Sequence, residues 1–136
     1  MTTRRSFFKQ AGLGLAAAAG YRVACYDPFF SPDQRCLEEK WPAIMAIEVV
    51  EHFHEPAREF GRLAGLLEPG GVLVLMTALF EAGRNFSGWH YVTDPTHVTF
   101  YSRSCLEWVA GHWGLELVSC SDRLAVFGRQ ASAAKS

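Results

Sequence analysis

Apolar and polar positions follow two different periods along this chain, and the changes of period mark its elements. Tyr21 to Tyr26 is a short β-branched and aromatic run halted by Asp27-Pro28, which predicts a strand. Phe29 to Lys40 reads as a loop in which Ser31-Pro32-Asp33 starts a turn or a short helix. Ala43 to Val50 is an apolar run broken only by Glu48, the pattern of a strand buried on both faces. From Pro56 to Leu67 the residues Phe60, Leu63, Ala64 and Leu67 recur at helical spacing and predict an amphipathic helix. Glu68-Pro69-Gly70-Gly71 predicts a turn, and Val72 to Met76 a second buried strand.

Thr77 to Thr99 follows neither period and is crowded with Gly, Asn, Asp, Pro and aromatics. A loop of that length inside a compact domain is usually functional. Ser102 then caps a helix through Leu106, Trp108, Val109 and Trp113, ended by Gly114. Leu115 to Cys120 and Leu124 to Phe127 predict a hairpin around Ser121-Asp122-Arg123, and Arg129 to Ser136 a flexible tail. Strands alternating with helices predict an α/β sheet with helices on both faces. Ligands of such sheets bind beyond the carboxyl ends of the strands, which here carry Asp27, Glu48 and Thr77.

The amino terminus supports two readings. One is a helix from Ser6 to Ala19, capped by Ser6 and closed by Gly20. The other is a twin-arginine export signal over residues 3–19, with Thr3-Arg4-Arg5-Ser6-Phe7-Phe8-Lys9 leading into Ala11 to Ala19. The strand expected directly afterwards favours the helix and a cytoplasmic protein.

Composition narrows the field. At 136 residues, with 10 Phe, 4 Trp and 4 Tyr, the chain can build one real core and is not a disordered segment. A net charge of −1 leaves no electrostatic footprint for nucleic acid or an anionic membrane. No apolar run approaches the roughly 20 residues of a membrane span. Cys25, Cys36, Cys105 and Cys120 lack metal-site spacing and read as buried, reduced thiols.

Three groups of residues carry candidate chemistry. Asp27, at a strand end, can accept hydrogen bonds from a ribose diol or simply start a turn. Glu48-Val49-Val50-Glu51-His52 offers two carboxylates and an imidazole, suited to a divalent ion or to the start of a helix. Trp89, Tyr91, Asp94, His97 and Phe100 lie together in the long loop, where they can enclose a substrate ring or pin the loop; His97 can act as base or ligand.

In combination these segments resemble the class I S-adenosylmethionine-dependent methyltransferases. The likeness rests on Gly20-Tyr21-Arg22-Val23 leading to Tyr26-Asp27-Pro28, on Glu48 to Phe53, on Leu66 to Leu73, and on Asp94-Pro95-Thr96-His97-Val98-Thr99-Phe100-Tyr101. It runs from about Phe7 to Gly128, and the last segment looks like a bacterial subgroup. The family's first strand and its Gly-x-Gly-x-Gly loop have no counterpart in these residues. The resemblance therefore implies an incomplete Rossmann-like sheet over residues 1–128, with a C-terminal antiparallel hairpin.

It further implies S-adenosylmethionine as cofactor, with Asp27 on the ribose, Pro28 and Phe29 flanking the adenine, and Glu48 beside them. Glu51, His52 and His97 take the catalytic roles, and Trp89, Tyr91 and Asp94 face a small-molecule acceptor. A Glu-x-x-Glu-His motif binds magnesium with a downstream histidine in small-RNA 2′-O-methyltransferases, and a similar motif occurs in ubiquinone-biosynthesis O-methyltransferases. By that likeness Glu48, Glu51, His52 and His97 are the metal ligands. The alternative is a non-catalytic methyltransferase-fold subunit whose sheet a partner chain completes.

Overall fold

A computed structural model of the chain describes residues 18–28 and 33–131. The chain packs as two compact units, Met1–Glu39 and Lys40–Ser136. Most of the predicted Ser6 to Ala19 helix, the twin-arginine segment and Phe29 lie outside the described residues. At the helix's expected end Ala18 is helical and Gly20 takes a φ of 91°, the left-handed conformation that closes a helix.

The first unit departs from expectation at Tyr21 to Tyr26, which forms no strand; only Asp27 makes an isolated bridge. Strand propensity describes fitness for a sheet surface, and it builds nothing without a ladder of partners. Downstream, Asp33 does start a short helix as expected. Its carboxylate accepts from the Arg35 backbone N–H at 3.0 Å and caps a 3-10 turn, Gln34–Leu37.

The second unit is built on a four-stranded mixed sheet, with β1 (Trp41–Ile47), β2 (Leu67–Met76), β3 (Leu115–Cys120) and β4 (Leu124–Arg129) in the order β1-β2-β4-β3. β1 and β2 pair in parallel, joined through the helix α1 (Pro56–Leu66), as the apolar periods predict. β3 and β4 form the expected antiparallel hairpin at the end of the sheet away from β1, and β4 pairs antiparallel with β2. The second helix, α2 (Arg103–His112), begins where Ser102 accepts from the Cys105 N–H at 3.2 Å. It stops before Gly114, whose φ is 68°.

Three local readings change. Glu68 to Gly71 is a bulged entry into β2: Trp41 pairs with Leu67 and Ala43 with Val72, so four residues oppose Pro42. Gly70 has a φ of 78°, and a Cβ on Gly71 would meet the Glu68 carbonyl oxygen at 2.7 Å, which is why both positions are glycine. β1 is not buried on both faces. Only Ala46 is buried, and Met45 is 65% exposed, because β1 is an edge strand of this sheet among the described residues. Finally, Arg129 is not tail. It ends β4 and donates to the carbonyls of Ala64 and Leu67 at 3.0 and 2.7 Å, capping the C-terminus of α1 together with Lys40, which reaches the Gly65 carbonyl.

The core joins Val50, Phe60, Leu67, Leu73, Leu75, Tyr101, Leu106 and Phe127 from both helices, the sheet and the loops between them. The four cysteines are partly rather than fully buried, and none forms a disulfide. Among the described residues no helix is long and apolar enough to cross a membrane.

Candidate functional site

β1 ends in a bend that aims its carboxylates. Glu48 has a φ of 52°, a left-handed conformation that costs a residue with a side chain about 1–2 kcal/mol. Its backbone N–H remains bound to the Met76 carbonyl at 2.8 Å, and the chain then turns through a 3-10 segment, Val50–His52. The Glu48 side chain is held at both oxygens: Tyr91 donates its hydroxyl at 2.7 Å and the Arg123 guanidinium lies at 3.4 Å. Thr77, at the end of β2, stands 3.1 Å from the same Tyr91 oxygen. Since Tyr91 gives its proton to Glu48, Thr77 is the donor to Tyr91. Burial raises the Glu48 carboxyl, but the neighbouring Glu51 carboxyl, the Tyr91 hydroxyl and the Arg123 charge outweigh it and hold the group below its usual range.

Glu51 is the opposite case. It is 0% exposed, and neither carboxyl oxygen has a hydrogen-bond partner. Burial, then the neighbouring Glu48, push its carboxyl up to about 7. Burial likewise raises the Tyr91 and Tyr101 hydroxyls, so both stay protonated donors.

The long loop is fastened over this turn by main-chain bonds, and this delivers His97. The Glu51 carbonyl accepts from the N–H groups of Val98 and Thr99 at 2.9 and 3.1 Å. Thr99 donates to the Phe53 carbonyl at 2.5 Å and Tyr101 to the Val50 carbonyl at 2.8 Å. The His52 and His97 rings consequently meet with centroids 4.9 Å apart.

Each imidazole is oriented through its Nδ1, which lies 2.7 Å from a backbone carbonyl, Thr96 for His52 and Tyr91 for His97. A carbonyl only accepts, so Nδ1 carries the proton and the Nε2 lone pair points elsewhere. The His52 Nε2 stands 3.6 Å from Glu51 Oε1, and the His97 Nε2 stands 3.4 Å from Asp94 Oδ2. Lone pairs facing at such distances repel unless a proton or a cation lies between them.

One ligand atom each from Glu51, His52 and His97 all lie within 4.8 Å of one another. Ligands on bonds near 2.1 Å sit roughly 3.0–3.4 Å apart at octahedral to tetrahedral angles. Glu51, His52 and His97 could therefore hold a divalent ion only after closing by up to about 1.4–1.8 Å. Glu48 is not in this group, because Tyr91 and Arg123 hold both its oxygens.

The other predicted site residues fall as follows. Trp89 and Tyr91 are buried in an aromatic cluster with Ala78, and Asp94 anchors a turn by accepting from the Thr96 N–H and hydroxyl at 2.9 and 2.6 Å. Asp27 is half-buried and Pro28 exposed, both in the first unit. Sequence reasoning missed Arg123, whose turn position signals only a hairpin, and the hydroxyls of Thr99 and Tyr101.

Comparison with known proteins bears on the fold and the family. A family profile described as "Methyltransferase domain" matches residues 4–120. Among solved structures the chain is similar to an O-methyltransferase family protein from Burkholderia thailandensis, with a TM-score of 0.56 and 20% identity over 75% of this chain and 34% of that one. It is also similar to CalO1, a methyltransferase in calicheamicin biosynthesis, in its SAH-bound form, with a TM-score of 0.55 and 12% identity over 83% of this chain and 38% of that one. A third likeness is to the 4+2 cyclase SpnF, with a TM-score of 0.55 and 14% identity over 88% and 61%. The chain thus spans about a third of the length of the first two. No curated protein sequence matches it.

Proposed function

The chain belongs to the methyltransferase-domain family, and from that premise we propose that it serves S-adenosylmethionine-dependent methyl transfer to an oxygen, nitrogen or carbon nucleophile of a small molecule. The observation that carries this reading is the convergence of Glu51, His52 and His97 at the carboxyl end of β1, where an α/β sheet places its ligand. The cofactor supplies a methyl group on a positively charged sulfur. By the family resemblance the Asp27 carboxylate would take the two ribose hydroxyls, and Pro28 and Phe29, the latter outside the described residues, would flank the adenine. Glu48, already a carboxylate held by Tyr91 and Arg123, adds negative charge at the carboxyl end of β1.

Transfer forms a bond from the nucleophile's lone pair to the methyl carbon as the carbon–sulfur bond breaks, so orientation supplies much of the rate. A hydroxyl or amine acceptor must also lose a proton. The His97 Nε2 can take it, because its Nδ1 is committed to the Tyr91 carbonyl. Glu51, pushed up to about 7, titrates near neutrality and can share that role.

In the alternative arrangement, a divalent ion held by Glu51, His52 and His97 would lower the acceptor's pKa, and the His97 Nε2 would then be a ligand and not the base. Two imidazoles with one carboxylate suit manganese, iron or zinc better than magnesium, which prefers oxygen.

Calorimetry with S-adenosylhomocysteine tests the reading. Micromolar binding supports it, and no binding at millimolar cofactor overturns it. The second reading, a non-catalytic subunit completed by a partner strand, is favoured by the edge position of β1 and its exposed Met45. It gains if cofactor binding fails while the chain remains folded.

A further inference from the structure

The turn after β1 carries two carboxylates in opposite conditions. Glu51 is fully buried with neither oxygen paired, whereas Glu48 is partly exposed and held at both oxygens. The Tyr91 hydroxyl donates to Glu48 Oε2 at 2.7 Å, and the Arg123 guanidinium stands 3.4 Å from Oε1. Neither partner stands on β1. Tyr91 is 6% exposed, and the Thr77 hydroxyl, at the end of β2, lies 3.1 Å from its oxygen. Arg123 sits in the turn between β3 and β4, and that turn is tied to the same end of β2: the Thr77 N–H donates to the Arg123 carbonyl at 3.1 Å and the Leu79 N–H to the Asp122 carbonyl at 2.9 Å.

Glu48 is nevertheless close to the group that excludes it. Its carboxyl and that of Glu51 lie near enough for each to shift the other, Glu48 downward and Glu51 upward. To ligate a cation, Glu48 must first give up a charge-assisted hydrogen bond and an ion pair. That cost decides the ligand count. Three protein ligands leave an ion open to a water or a substrate oxygen, and a fourth closes a tetrahedral site.

We propose that Tyr91 and Arg123 form a latch that holds Glu48 out of the ligand set of Glu51, His52 and His97, so that a coordination position stays open for the acceptor's oxygen. The latch rests on the ion-site reading given above. Tyr91 and Arg123 are positioning residues in it, since both act through Glu48. Tyr91 separates two tasks at its two polar ends. Its hydroxyl holds Glu48, while its main-chain carbonyl accepts from the His97 Nδ1 at 2.7 Å. Tyr91→Phe therefore removes only the first. The ring stays, 4.2 Å from His97 and 5.2 Å from Trp89 between centroids.

Manganese uptake by the chelator-treated full chain tests the latch, read from the free-ion paramagnetic resonance signal. Tyr91→Phe should bind manganese at least tenfold more tightly than wild type, because Glu48 becomes a fourth ligand. The relaxation that bound manganese imposes on water protons should fall with it, as Glu48 displaces a water. Arg123→Met, at an exposed position and so expected to fold, should tighten binding as well. In a Glu48→Gln background the Tyr91→Phe gain should vanish, which a general loosening of the site would not produce. Unchanged affinity in both variants, water relaxation equal to wild type in Tyr91→Phe, or gains of the same size in the Glu48→Gln background overturn the proposal. Uptake by the wild type with unchanged variants sinks the latch alone. No uptake by any of these proteins sinks the ion site with it.

Discussion

Glu51→Gln should reverse the pH dependence of stability in the second unit. In the wild type a carboxyl with no exposure and no hydrogen-bond partner sits at about 7, against 4.5 for an ordinary glutamate. Below pH 4.5 both folded and unfolded chains hold the proton and no penalty applies. As the pH rises, the unfolded chain loses the proton first, so stability falls until about pH 7 and is flat beyond. At 1.36 kcal/mol per pKa unit, that difference amounts to about 3 kcal/mol. Glu48 acts in the other direction, its stabilisation being lost only as the pH falls below the ordinary carboxylate range. The two windows therefore separate.

Glutamine cannot ionise, so the variant should gain about 3 kcal/mol relative to wild type between pH 4.5 and 8. Any constant offset from its buried amide cancels in that comparison. All four tryptophans, Trp41, Trp89, Trp108 and Trp113, lie in the second unit, so urea melts followed by their fluorescence in chelator report on it. Parallel pH profiles for the two proteins would refute the reasoning.

Other expectations follow from packing and capping. Gly61→Ala should destabilise by about 1–3 kcal/mol, because a Cβ there meets the Trp113 ring at 2.8 Å, whereas Gly65→Ala on the same helix meets nothing and should stabilise by about 0.5–1 kcal/mol; paired thermal melts decide. Arg129→Met should cost about 2 kcal/mol, since it strips the Ala64 and Leu67 carbonyls of a charged donor, and a urea midpoint unchanged from wild type would contradict it. Asp27→Ala should weaken S-adenosylhomocysteine at least tenfold by calorimetry if the carboxylate holds the ribose, at about 1.5–3 kcal/mol per charged hydrogen bond. Equal affinity sinks that assignment.

The elements legible in the sequence were those with local causes. Ser102 and Gly114 bracket α2 because a cap and a left-handed stop act on adjacent residues. The hairpin around Ser121-Asp122-Arg123 is visible for the same reason, its Ser121 N–H reaching the Leu124 carbonyl at 2.8 Å. The meeting of Glu51, His52 and His97 was also legible, since a loop leaving β2 must pass the carboxyl end of its parallel neighbour β1. Long-range causes were not. Nothing local marks Glu48 for a φ of 52°, because its bend is held by Tyr91 and Arg123, 43 and 75 residues away. Tyr21 to Tyr26 shows the converse, with strand composition but no ladder.

The metal site proposed on Glu51, His52 and His97 is tested most directly by titrating manganese into the folded, chelator-treated protein and following the free-ion paramagnetic resonance signal. One site should appear, weakened at least tenfold by His97→Ala and by Glu51→Gln, with circular dichroism showing that each variant remains folded. No uptake by the wild type, or uptake that neither substitution changes, would contradict it.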